Sequence, residues 1–357
     1  MDYFSIVTIV FVLAGVIVLF INKKKNNTEF GLCVNFITAG LALITNSFGS
    51  TSTHLFAFLR NEEIGTDIVQ LIMGITLVLI GLWMSQYVKN KLTILNVLGV
   101  KERRIEEHRE DVGLSPFEFK ERELDLSSVT KRPMNQGRYN DVVDLIDTKI
   151  DSFCAESKDT QKGYTGTASI PLTIYAGYRC IGNMKKTYFE YNRFTQKYYK
   201  LKPIKSWYVL KKEYPKLEVQ QSAGKLGNGN QENVVLAVSL TMPIQLEQLK
   251  QFDAQYTHLS IRNPKPNSIQ YEEQLKEYVE IIFHKIIELG NQPNVKKIHI
   301  LISSQSCLPF ELGKQLTTDT YMKELITYQY SSTSSPVYPW GISFKNQGVK
   351  YVEWLPN

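Results

Sequence analysis

Hydrophobic positions follow two different rules along this chain. Up to about residue 88 they form long unbroken runs, and beyond it they alternate or recur at helical spacing between polar loops. The runs 3–21, 30–48 and 68–88 each approach the roughly 20 residues needed to cross the hydrocarbon core of a bilayer. Lys23, Lys24 and Lys25 follow the first run, the reverse of a signal peptide's order, so it reads as a retained span. These lysines and the basic stretch 89–104 belong on the cytosolic side, whereas loop 49–67 holds only Arg60. Three passes satisfy that rule, with the N-terminus outside and the remainder of the chain inside. Asn35, Thr38, Thr45 and Asn46 interrupt the second run. They read as helix-packing residues within one subunit or, once subunits meet, as the lining of a water-filled path.

Downstream, 101–111 (KERRIEEHRED) has mixed charges at helical spacing and reads as a solvated helix. Residues 113–137, with Pro116 and Pro133, read as an irregular connector, and 138–154 as an amphipathic helix led by Val142, Ile146, Ile150 and Phe153. Strands are expected at 169–176, 234–241, 256–262, 297–302 and 325–330, with a long helix over 271–289 and a closing hairpin of 341–344 with 349–354. The clearest unit is 297–316, KIHILISSQSCLPFELGKQL: an apolar strand, a loop of Ser303, Ser304, Gln305 and Ser306, then a helix with Pro309 in its first turn. An anion set against that loop would meet free backbone N–H groups and small hydroxyls. Residues 233–249, NVVLAVSLTMPIQLEQL, repeat the pattern loosely and suggest two related α/β halves around one ligand.

Composition sharpens the division. Residues 1–88 contain four basic side chains against five acidic ones while the whole chain carries +6, so the positive charge lies downstream. That balance suits an anionic ligand or a lipid surface as well as an ordinary basic domain. Cys33, Cys154, Cys180 and Cys307 are widely separated, which argues against a zinc site or a disulfide framework and for a reducing compartment. The aromatics and lysines interleaved over 185–214 read either as nucleic-acid surface or as buried rings with wet lysines. AGKLGNGN at 223–230 lacks the ending of a phosphate loop and reads as a turn. No catalytic triad or metal-binding carboxylate cluster can be defended, and the one E-x-K, Glu118 to Lys120, lies in the connector.

The segments SIPLTIYAGY (169–178), VVLAVSLT (234–241), IHILISSQSCLPFELGKQL and YPWGISF (338–344) together resemble a SAVED domain, two fused CARF-like Rossmann units that bind cyclic oligonucleotides in bacterial CBASS antiphage systems. The fold class this implies is an N-terminal α-helical transmembrane segment plus a C-terminal α/β SAVED domain. The divisions are 1–100 for the membrane region, 101–154 for a juxtamembrane linker and 155–357 for the SAVED domain. The resemblance implies a non-enzymatic effector without metal or cofactor, its ligand a cyclic di- or trinucleotide from a cognate nucleotidyltransferase. Its other partners would be the lipid bilayer and further copies of itself, not a nucleic acid polymer. It would sit multi-pass in the bacterial inner membrane, C-terminal domain in the cytoplasm, and ligand-driven assembly would disrupt that membrane in abortive infection.

Residues at predicted strand ends then become ligand candidates: Ser239, Thr241, Ser303, Ser304, Gln305 and Phe310 for phosphates and bases. Tyr330, Tyr338 and Trp340 are stacking candidates, and Arg262 and Lys314 charge partners. Two other readings stand beside this one: a membrane-anchored CARF-like phosphodiesterase that degrades a cyclic nucleotide, and a nucleotide-gated channel of other purpose.

Overall fold

The computed structural model describes residues 28–47, 68–90 and 92–354, apart from 101–102, 115–118, 131, 157–159, 181–185, 204–213, 227–230, 317–322 and 346–347. The first expected span, 3–21, lies outside the described residues. The chain divides into two compact units, Met1–Lys91 with Lys158–Gln161, and Leu92–Ser157 with Lys162–Asn357.

In the first unit, helix α1 (Thr28–Ser47) packs on helix α2 (Ile68–Asn90). Gly40 and Gly74 meet face to face, each where an added Cβ would strike the other's carbonyl oxygen, so the helices approach as closely as small residues allow. The outer face of α2 is apolar: Val69, Ile72, Leu79 and Trp83 are all exposed. Within α2, Ile68–Gln86 is long and apolar enough to cross a membrane by length and composition, while Leu32–Ser47 is apolar but shorter. Thr38 and Thr45 donate their hydroxyls to the carbonyls of Val34 and Leu41 on their own helix. Those hydroxyls are satisfied without a partner helix or water.

The second unit contains two sheets. The five-stranded sheet has the order β2-β1-β3-β4-β5, from β1 (Leu92–Leu98), β2 (Phe119–Asp125), β3 (Gln161–Gly166), β4 (Lys186–Asn192) and β5 (Lys197–Lys200). β1 and β2 run parallel, as do β3 and β4, and β5 returns antiparallel as a hairpin. The seven-stranded sheet has the order β12-β11-β10-β9-β7-β8-β6, from β6 (Glu218–Lys225), β7 (Asn233–Ser239), β8 (Gln255–Ser260), β9 (Lys297–Ser303), β10 (Glu324–Gln329), β11 (Trp340–Lys345) and β12 (Gly348–Glu353). Strands β8, β7, β9 and β10 are parallel, and antiparallel strands flank them on both sides. β7 and β9 are almost wholly buried, as strands covered on both faces must be.

Helices fill the space around the sheets: the single turn α3 (Ser127–Thr130), α4 (Gln136–Glu156), α5 (Ile170–Arg179), the single turn α6 (Leu246–Leu249), α7 (Glu272–Gly290) and α8 (Cys307–Gln315). One core joins both sheets, running from Leu95, Val97 and Tyr164 through α4 and α5 to Leu236, Ile300 and Phe344. Each large apolar side chain buried in it contributes about 1.5–3 kcal/mol. Within that core α5 and α8 touch backbone to backbone, because Gly177 lies against the Phe310 carbonyl and Gly313 against that of Ile174, with no room for a Cβ at either.

Three expectations are corrected. The 169–176 stretch is the start of helix α5, with Pro171 in its first turn and every residue from Pro171 to Gly177 buried. Residues 103–111 do not form the expected solvated α-helix; Glu106–Val112 is a short 3-10 segment, and 101–102 lie outside the described residues. The supposed irregular connector holds β2, and the first sheet already begins at Leu92.

Candidate functional site: a cleft between two switch points

Each sheet has a place where the strand order reverses. In the larger sheet β7 leads to β8 on one side and β9 lies on its other, so the crevice opens beyond the carboxyl ends of β7 and β9. There the backbone N–H groups of Leu240 and Thr241 donate to the Ser303 carbonyl at 2.8 and 3.0 Å, and Thr241 Oγ1 meets Ser303 Oγ at 3.0 Å. In the smaller sheet β1 lies between β2 and β3. Thr167 N donates to the Val97 carbonyl at 2.8 Å, and Gly99 N donates to Thr167 Oγ1 at 3.0 Å. The two reversal points open on one cleft of about 550 Å³, with Gly166 and Thr167 from the smaller sheet opposite Thr241, Ser303 and Ser304 from the larger.

The cleft's charge comes from the smaller sheet. Arg103 is presented by the loop after β1, which buried Asn96 shapes by donating to the Arg103 carbonyl (2.9 Å) and to Glu121 Oε1 (2.6 Å). Glu121 in turn accepts from the backbone N–H groups of Ile105 (3.2 Å) and Glu106 (2.9 Å). Burial raises the Glu121 carboxyl above its ordinary pKa, against those donors. The Arg103 guanidinium then rests over the Tyr191 ring at 4.7 Å, a cation–π contact that holds it at the cleft wall. Arg193 and Phe194 come from the β4–β5 turn, where Asn192 Oδ1 accepts from Phe194 N (3.0 Å) and Thr195 N (3.3 Å). Phe194 is 79% exposed and lines the cleft, so its ring face is open there.

One acid also lines this wall. Glu190, on β4 and 4% exposed, accepts from Cys307 N at 2.7 Å and from Ser306 Oγ at 3.2 Å, so its carboxylate occupies the N-terminal end of α8. Burial pushes its pKa up to about 7, opposed by hydrogen bonds from the side chains and backbone of Cys307 and Ser306. The helix end read from the sequence as free for an anion is therefore already occupied by the Glu190 carboxyl.

The sequence-derived candidates divide three ways. Thr241, Ser303, Ser304 and Gln305 line the cleft. Their polar atoms are committed, however: Ser303 Oγ accepts from Met242 N at 3.0 Å, and Ser304 Oγ donates to the Gln305 carbonyl at 3.0 Å. Gln305 is a buried brace whose Oε1 accepts from Ile269 N (2.6 Å) and whose Nε2 donates to Tyr199 OH (2.6 Å), tying β5 to the loop before α7. Ser239, Phe310, Tyr338 and Lys314 serve structure: Ser239 Oγ bonds His258 Nε2 (2.8 Å) and Ile244 N (2.9 Å), and Phe310 stacks on Tyr164 at 3.8 Å. Tyr338 is buried beside Phe252, and Lys314 pairs with Glu311 at 2.7 Å. Tyr330 and Trp340 face a separate cavity of about 450 Å³ beside Arg132, and Arg262 is exposed without lining the cleft.

Another cavity, about 610 Å³, gathers Lys297, His299, Tyr328 and Trp354. It includes the first residue of β9, the wrong end for a ligand of a parallel sheet, and it lacks a cationic pair. Among the described residues no group of three metal-ligating side chains occurs.

The profile of the SAVED domain, described as "SMODS-associated and fused to various effectors sensor domain", matches residues 146–344, more than half of the chain. This chain belongs to the SAVED family. The match begins inside α4, so β1 and β2 precede it although they complete the same sheet as β3. Similar solved structures include the Acinetobacter baumannii Cap4 SAVED/CARF-domain containing receptor with the cyclic trinucleotide 2′3′3′-cAAA, at 12% identity and TM-score 0.47, covering 74% of this SAVED chain and 54% of that one. The same receptor with 3′3′3′-cAAA gives 10% identity and TM-score 0.48, covering 88% and 64%. The Moraxella osloensis Cap4 receptor gives 10% and 0.43, covering 73% and 52%. The chain thus spans between half and two thirds of the length of these receptors. No curated protein matches it.

Proposed function

We propose that this SAVED protein is a membrane-anchored receptor of a CBASS antiphage system that binds a cyclic di- or trinucleotide in the cleft between its two switch points. The observation that carries the reading is the pairing of Arg103 and Arg193 with an exposed Phe194 in a cleft built at the carboxyl ends of parallel strands in two mixed sheets, within a family of sensor domains. Guanidinium groups hold phosphodiesters and a bare phenyl face stacks on a base. The Acinetobacter baumannii Cap4 receptor, whose structure was solved with two cyclic trinucleotides, illustrates the ligand class. The cleft volume of about 550 Å³ lies within the usual range for small-molecule sites.

The apolar run 3–21 and helices α1 and α2 are the anchor in this reading, placing the chain multi-pass in the inner membrane with the sensor in the cytoplasm. Only Lys91 separates α2 from β1, the strand whose loop carries Arg103, so the anchor connects directly to the sheet that supplies the charge. Ligand binding stabilises whichever assembly holds it more tightly. Joined copies then bring their apolar helices together, breach the membrane and end the infection. The protein does this as a receptor, without turning the nucleotide over.

The test reconstitutes the full chain in dye-loaded anionic liposomes and adds cyclic di- and trinucleotides one at a time. Dye release by one of them, with that nucleotide recovered intact by mass spectrometry, supports the reading. Recovery of linear product would replace it with a phosphodiesterase, and binding without release would remove the membrane-disrupting step.

A further inference from the structure

Most polar side chains in the cleft are committed to the protein itself, Thr241 to Ser303, Ser304 to its neighbour's carbonyl, Gln305 to Ile269 and Ser306 to Glu190. Asn267 is different. It lines the same cleft and is only partly buried, and its side-chain amide makes no hydrogen bond with a described residue.

The loop that carries Asn267 holds it in place. That loop follows β8, a strand parallel to β7, so it lies at the carboxyl edge of the sheet where ligands settle. Before Asn267, Lys265 N donates to the Leu240 carbonyl at 3.0 Å; after it, Ile269 N donates to Gln305 Oε1 at 2.6 Å. The Asn267 carbonyl itself accepts from Gln270 Nε2 at 2.7 Å. Between these anchors the residue has a φ of 57°, in the left-handed region where glycine is the usual choice and asparagine is among the side chains best tolerated. The backbone is pinned, and the amide is left for something else.

A primary amide presents an acceptor and a donor side by side. Adenine offers the complement on its major-groove edge, the N6 amino group as donor and N7 as acceptor, so both bonds form together. Guanine has two acceptors there, O6 and N7, and its O6 would oppose the amide oxygen. Phe194 and Met242, 79% and 64% exposed, line the same cleft and offer apolar surface to the faces of a base.

We propose that Asn267 determines the base specificity of the cleft, pairing its side-chain amide with the N6 and N7 positions of an adenine in the ligand. The inference rests on the cyclic-nucleotide reading and adds a base preference to it. A two-bond pair of this kind discriminates by about 5- to 150-fold.

The experiment titrates the full chain in lipid nanodiscs with cyclic di- and trinucleotides whose bases are all adenine, all 7-deazaadenine or all guanine. 7-Deazaadenine replaces N7 by carbon while keeping the amino group and the ring area, so it tests the contact from the ligand side without any substitution in the protein. Wild type is expected to bind the adenine ring at least about fivefold more tightly than either of the others of the same size. Asn267→Gly suits the left-handed backbone and removes the amide, so it is expected to keep the wild-type melting temperature and to bring both ratios within about twofold of unity. If the adenine and 7-deazaadenine rings bind wild type equally, if wild type prefers guanine or binds only rings of other bases, or if Asn267→Gly keeps the wild-type ratios, the inference is overturned while the receptor reading stands. If no cyclic di- or trinucleotide of any base binds wild type, the receptor reading falls and this inference with it.

Discussion

The two reversal points that meet at the cleft are built alike and equipped differently. The one after β7 and β9 offers hydroxyls and an amide that already bond to one another: Thr241 to Ser303, Ser304 to its neighbour's carbonyl, Gln305 to Ile269 and Tyr199. The one after β1 and the adjoining β4–β5 turn offers Arg103, Arg193 and Phe194, side chains whose charge or exposed ring faces the cleft. At these two points the larger sheet therefore supplies the rigid floor and the smaller sheet the chemistry. Polar residues at strand ends mark a self-satisfied turn in the first case and a binding edge in the second. Only the hydrogen-bond partners tell the two apart.

That contrast can be broken by experiment. The largest effect is expected at the brace: Gln305→Leu leaves the Ile269 N–H buried without its partner and removes one of the bonds at Tyr199 OH, which keeps the Ile269 carbonyl, and should cost up to about 4 kcal/mol of stability in denaturant unfolding. A loss below about 1 kcal/mol would mean that the floor does not depend on this side chain. Next comes the pH response of Glu190. Its folded pKa of about 7 exceeds the ordinary 4.5, so the native state keeps a proton that the unfolded chain releases. Its contribution is fully present below pH 4.5 and is lost as pH rises through 7. The stability difference between wild type and Glu190→Gln should fall by about 3 kcal/mol between pH 4 and pH 8. A flat difference would show that the carboxyl is not the buried acid described here. The smallest effect is expected at Ser304→Ala, which removes a bond to an adjacent carbonyl and should change ligand affinity by less than about threefold. A larger loss would return the hydroxyls of the larger sheet to the ligand.

The larger sheet was legible because β7 and β9 are continuous apolar runs with polar loops beyond them, a pattern that announces both the strand and its functional end. Helix α7 and the β11–β12 hairpin were legible for the same reason, their periods being unambiguous. The smaller sheet hid. β1, LTILNVL, follows an apolar helix after a single lysine and merges with it. β2, FKERELD, alternates charges along a half-covered strand and carries little hydrophobic signal. In α5 every side of the helix is buried, so its apolar residues show no period, and a buried helix then looks like a strand. Pro171 after Ser169 was the available sign of a helix start. Arg103 falls in the basic stretch 89–104 that the sequence assigns to the cytosolic side, and Arg193 in 185–214, which reads either as nucleic-acid surface or as buried rings with wet lysines. The signal that could have found the second was an arginine and a phenylalanine placed together in the turn of an Asn-initiated hairpin.

The most direct measurement compares the two reversal points on one ligand. Calorimetry of the full chain in nanodiscs, first screened with cyclic di- and trinucleotides, would set Arg103→Ala/Arg193→Ala against Thr241→Ala/Ser304→Ala. The account predicts that one nucleotide binds wild type saturably, that the arginine pair costs at least about 100-fold in affinity, and that the hydroxyl pair costs less than about tenfold. Equal affinity in the arginine variant and wild type would contradict it.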